Sequence, residues 1–206
     1  MFKLSAIWLV AINIVVFIFQ IVYSPLTDEF ALVSADVLSR PWIIITSMFL
    51  HGGMQHILFN MFALALFGFI LEKIIGSKKF LILYFLSGII AGLGSIFFYE
   101  AAIGASGAIF GILGALGILR PRMTVYVSYI PMPMFVAVIF WAILNLGGLL
   151  VPGQVAYAAH LGGLAFGLAY GFYLKKYFGE HHESRRIHRM TDKELYNWEG
   201  RHMRSL

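Results

Sequence analysis

A serine flanked by glycines, Gly104-Ala105-Ser106-Gly107, sits in a long apolar run of this chain. Two other apolar runs carry the polar groups that would turn its hydroxyl into a nucleophile. His56 and Asn60 stand in an earlier one, and His160 opens a later one that continues through Gly163, Gly167 and Gly171. A hydroxyl, an imidazole able to take its proton and a pair of hydrogen-bond donors are the parts of an acyl-transfer site. Strongly polar side chains inside membrane-type segments are costly and mark function. Here they are His51, His56, Asn60, Ser106, Asn145 and His160.

Each of these has a plainer reading when taken alone. His56 and Asn60 are spaced i, i+4, one turn apart on one helix face. Both can donate to a single oxygen, but such a pair is more commonly an interhelical polar contact. A helix from Ser106 to Leu119 would be roughly 21 Å long, short of a hydrocarbon core of roughly 30 Å. The serine would then lie roughly 9 Å below the outer surface. It would also stand at a helix N-terminus, whose unpaired N–H groups and dipole favour a developing negative charge. The plainer reading of the segment is packing, since Gly107, Gly111 and Gly114 form a small-residue stripe. His160 shares a stripe with Gly163, Gly167 and Gly171 at i+3, i+7 and i+11. If the two stripes pack, His160 arrives beside Ser106 as a general base. No carboxylate in the spans is placed to orient the imidazole, so the expectation is a Ser-His dyad and not a triad.

The elements that must position these groups follow from composition. The 206 residues are 60% hydrophobic and 12% charged, with mean hydropathy +0.84. A soluble domain carries about 25% charge, so this is an integral membrane protein. Its apolar runs have helix length and lack the alternation of barrel strands. There is no cysteine, which removes disulfides and thiolate chemistry. The net charge of +5 is the Lys and Arg excess of cytoplasmic loops, not a nucleic-acid signal. The first apolar stretch lacks a small-residue cleavage site, so no signal peptide is expected.

Uncharged stretches predict six spans. They are residues 5 to 23, Gly53 to Leu71, Phe80 to Tyr99 and 101 to 119, then two within Met123 to Leu174, broken at Pro152-Gly153-Gln154. Residues 24 to 52 form a long loop that mixes charges with Phe30, Leu38, Trp42 and Ile43-Ile44-Ile45, and is expected to lie partly in the interface. Lys3, Lys73, Lys78, Lys79, Arg120, Arg122, Lys175 and Lys176 fall on one side, and Asp28, Glu29, Asp36 and Glu100 on the other. The positive-inside rule puts both termini in the cytoplasm. Residues 1–178 thus make a six-span domain and 179–206 a basic tail expected near anionic headgroups. The tail histidines 181, 182, 188 and 202 are unspaced and predict no metal site.

The sequence resembles the rhomboid intramembrane serine proteases over roughly residues 1 to 178. The resemblance is carried by HGGMQHILFN (51 to 60), LEKIIGS (71 to 77), GASGAIFG (104 to 111) and AHLGGLAFG (159 to 167), in order and in successive spans. It implies an all-α membrane protein, a six-transmembrane-helix bundle of rhomboid type in which Ser106 is the nucleophile and His160 the base. His56, Asn60 and the Ser106 N–H become the oxyanion hole, with Gly104, Gly107, Gly111, Gly163 and Gly167 packing the helices near the site. Glu72 matches an acidic residue of structural role. The resemblance also implies transmembrane segments of other proteins as substrates, a small residue before the cut, and lateral access past a mobile fifth span. That span is about 133 to 150, with Phe135, Phe140 and Trp141 as candidate gate contacts. No cofactor or metal is implied, the partners being the substrate and the bilayer, with no nucleic acid and no stated oligomer.

Two positions depart from the family. Trp42 is followed by Ile43 where Trp-Arg is frequent. Phe110 stands where many members have a tyrosine, keeping an aromatic face to stack on the base. The alternatives are an inactive relative that binds or escorts membrane segments, which the retained Ser106 and His160 disfavour, and a small transporter. The latter lacks intramembrane carboxylates and an inverted repeat. A prokaryotic plasma membrane is the simplest location.

Overall fold

The protein is described here in a computed structural model that defines residues 4–151, 153 and 155–187, with side chains as far as Gly179. These residues fall into two compact units dividing after Phe172. The second contains the remainder of the last helix, and every group discussed below lies in the first. The histidines and cations of the expected tail lie outside the described side chains, as do Pro152 and Gln154.

The architecture is predominantly helical, because backbone in hydrocarbon must satisfy its hydrogen bonds internally. Helices α1 (Ser5–Val22), α4 (Met54–Ile75) and α5 (Ser77–Ser95) are long and apolar enough to cross a membrane by length and composition. Two apolar helices are shorter: α6 (Ser106–Leu119, 14 residues) and α7 (Met134–Gly148, 15 residues). The last, α8, runs Tyr157–Ile187 and carries no charged side chain before Lys175. Between α1 and α4 lie α2 (Pro25–Phe30) and α3 (Ile43–Thr46).

Glu72 closes the start of α1. Its two carboxylate oxygens accept the Ser5 and Ala6 N–H groups, each at 2.9 Å. Those N–H groups have no partner within their own helix. A π-helical turn, Leu64–Gly68, lies in the middle of α4. There Gly68 brings the backbone against α1: a Cβ would sit 3.3 Å from that of Ala6. The chain reverses from α4 into α5 at Gly76, whose φ of +81° favours glycine.

Helix α6 is the centre, with ten buried residues from Gly107 to Gly117. Ala91 and Ser87 of α5 press on Gly107 and Gly111, and Val138 of α7 on Gly117. On the α8 side, Gly163 lies against the Gly107 carbonyl and Gly167 against that of Gly111.

Three expectations change. The stretch 24–52, expected as one long loop, holds several short elements. It contains α2, α3, 3-10 turns at Ser34–Asp36 and Ser47–Phe49, and a strand, β1 (Leu32–Val33). β1 pairs antiparallel with β2 (Ala101–Ala102), Leu32 facing Ala102, so the residues from Ala101 to Ala105 are not helical. The third span runs Ser77–Ser95 instead of Phe80 to Tyr99, since Gly76 turns the chain early and Lys78 and Lys79 can extend to water from the first turn. Finally, residues after Arg122 form a hairpin, β3 (Thr124–Val127) with β4 (Ile130–Pro133), before α7 begins. Ser128 and Tyr129 both have positive φ, 49° and 68°, the two-residue turn that matches strand twist.

Candidate active site

Ser106 is the first residue of α6. The segment before it is held from the first loop, the Gly104 N–H donating to the Ser47 carbonyl at 2.9 Å. Gly104 has φ +120°, a conformation open to glycine. The first i to i−4 bond of α6 runs from the Ile109 N–H to the Ala105 carbonyl at 3.0 Å. The N–H groups of Ser106, Gly107 and Ala108 precede it and lack intrahelical partners, which makes this end of α6 favourable to negative charge.

His160 stands in the first turn of α8, its N–H on the Ala156 carbonyl at 3.2 Å. Its Nε2 is 2.8 Å from Ser106 Oγ, the reach a general base needs. The Phe110 ring stacks on the imidazole at 4.4 Å and 14°, and Tyr157 meets it edge-on at 6.4 Å. On the far side, His160 Nδ1 is 2.8 Å from Asn145 Oδ1 on α7. The expected two-residue arrangement therefore has a third polar member, an amide instead of a carboxylate. The sequence did carry its signal: Asn145 is a polar residue in an uncharged span.

His56 and Asn60 converge on Gly104, two residues before the serine. A Cβ on Gly104 would lie 2.8 Å from His56 Nε2 and 3.7 Å from Asn60 Nδ2. His56 Nδ1 accepts the Gly52 N–H at 3.2 Å, so in the neutral ring the proton is on Nε2, the nitrogen facing Gly104. Asn60 Nδ2 is buried without a hydrogen-bond partner among the described residues. Both donors are available to an oxygen in this corner.

His51 sits behind them, its ring 5.1 Å from that of His56. Its main chain is clamped by Gln20, whose Oε1 accepts the His51 N–H at 2.9 Å and whose Nε2 donates to the His51 carbonyl at 3.3 Å. A cavity of about 30 Å³ is lined by Ser106 together with Ser47, Met48, Gly88, Ala91, Gly104 and Gly107 among others.

Comparisons with known proteins show the family of the chain. The family model described as Rhomboid domain matches residues 38–177. "Rhomboid protein 1, mitochondrial" of Saccharomyces cerevisiae is 34% identical over 163 residues, 72% of this chain and 46% of that protein. "RHOMBOID-like protein 6, mitochondrial" of Arabidopsis thaliana is 37% identical over 139 residues, 66% of this chain and 44% of its own length. "Rhomboid protease GluP" of Bacillus subtilis is 37% identical over 133 residues, 61% of this chain and 24% of that protein. The chain thus spans less than half the length of these relatives. With a family match covering more than half of its residues and several apolar helices, this integral membrane protein belongs to the rhomboid family.

Proposed function

We propose that the protein is an intramembrane serine endopeptidase that cuts other membrane proteins in or near a transmembrane segment. The observation that carries this reading is the 2.8 Å contact between Ser106 Oγ and His160 Nε2, at a helix start that faces two further donors. The Ser106 proton passes to His160 Nε2 as Oγ bonds to the scissile carbonyl carbon. The displaced electron pair stays on the carbonyl oxygen, which accepts from His56 Nε2–H, Asn60 Nδ2–H and the Ser106 N–H. Collapse breaks the C–N bond, and the imidazolium returns its proton to the leaving amine. Water from the outer face then gives a proton to Nε2 and its oxygen to the acyl carbon; collapse breaks the acyl C–Oγ bond, and Nε2 returns the proton to Ser106 Oγ.

A cavity of about 30 Å³ beside the serine favours a small side chain before the cut. Helical substrates hide their carbonyls, so cleavage falls where Gly, Pro or polar residues loosen the helix. Substrates reach the site past α7, on which Phe135 and Phe140 are exposed and Trp141 meets Phe67 of α4 edge-on at 6.4 Å. The proposed topology has six crossings with both termini inside. The short α6 is enclosed by its neighbours, and the first loop rests in the interface through Leu38 and Trp42, both exposed. A fluorophosphonate probe tests the reading: covalent labelling at Ser106, lost in His160→Ala, supports it, and a folded protein whose serine does not react contradicts it.

A further inference from the structure

The Asn145 amide has two hydrogen bonds, and together they determine which nitrogen of His160 carries the proton. Asn145 Nδ2 donates to the Trp141 carbonyl at 2.8 Å. That carbonyl can only accept, so the amide is oriented with Oδ1 toward His160; the flipped amide would set two acceptors against each other. Oδ1 at 2.8 Å from Nδ1 then requires a proton on Nδ1. In a neutral imidazole this leaves Nε2 with a lone pair, aimed at the Ser106 hydroxyl at 2.8 Å.

We infer that Asn145 is the positioning residue of the base: it accepts the Nδ1–H of His160 and so holds the imidazole in the tautomer that can take the serine proton. The inference rests on the protease reading for its consequence, though not for its geometry. Asn145 is 5% exposed and His160 is packed between Phe110 and Tyr157, so little water competes for Nδ1. Without the amide, the other tautomer would present an N–H to Ser106 and be inert as a base. The bond also joins the base to α7: a displacement of that helix that removes Asn145 leaves Nδ1 without its acceptor.

The test is ¹⁵N-histidine NMR of the detergent-solubilised protein, with the His160 signals identified by their loss in His160→Ala. The wild type is expected to show a protonated Nδ1 and an unprotonated Nε2. Asn145→Leu, of similar volume without an acceptor, and Asn145→Ala should mix the tautomers or reverse them. Asn145→Asp retains an acceptor and should preserve the Nδ1–H form. In cleavage assays Asn145→Leu should lower kcat about 10- to 100-fold with KM changed less than about threefold. A wild type protonated on Nε2, or a tautomer unchanged in the Leu and Ala variants, overturns the inference. An Nδ1–H tautomer in a wild type that neither cleaves nor labels would sustain Asn145's part while removing the protease reading.

Discussion

Gly163 of α8 lies so close to Gly107 of α6 that a Cβ on it would overlap the Gly107 carbonyl oxygen. One turn further on, Gly167 stands in the same relation to Gly111. This contact fixes the spacing of two helices whose first turns carry His160 and Ser106. A methyl group there has nowhere to go, because the atom it meets is backbone. Gly163→Ala should destabilise the protein by about 1–3 kcal/mol, the usual cost of overpacking, and a larger side chain should cost more. Thermal unfolding in detergent measures this. The catalytic loss should exceed the stability loss, since the substitution also separates His160 from Ser106.

Glu72 acts far from the chemistry. Its carboxylate accepts the Ser5 and Ala6 N–H groups, so Glu72→Ala leaves buried donors unsatisfied at a cost of about 1–3 kcal/mol. The midpoint of unfolding should fall. At temperatures where the variant stays folded, its kcat should be close to that of wild type.

His56 and Asn60 are expected to act on the transition state alone. Removing one donor from an oxyanion site costs about 10²–10³ in kcat, and His56→Ala and Asn60→Ala should each fall in that range with KM little changed. A single-span substrate assayed over a range of mole fractions in detergent separates the two parameters. If either variant instead raises KM at constant kcat, that residue binds substrate and does not hold the oxyanion.

Much of this was legible in the residues. Ser106 as the first residue of a short helix, and glycine stripes bringing His160 to it, follow from spacing, because close helix approach demands small residues at fixed intervals. The structure of the first loop was not legible. Its two-residue strand pairs with Ala101 and Ala102, a contact between segments far apart in sequence that no local pattern encodes. The β3–β4 hairpin was missed for a different reason: its turn is Ser128-Tyr129, without the Asn-Gly or Asp-Gly that signals such turns. Asn145 was visible as a polar residue in a span. Its role was hidden because it meets His160 from another helix, 15 positions away in the chain, and because an amide carries no charge to mark it as a partner of an imidazole.

Ser106 and His160 are proposed to cut a peptide bond together within the membrane. The most direct measurement is cleavage of a single-span substrate in liposomes by the wild type, Ser106→Ala and His160→Ala, each first shown to be folded. Cutting by the wild type, and none above background by either variant, is the expected result. Undiminished cutting by Ser106→Ala would contradict it.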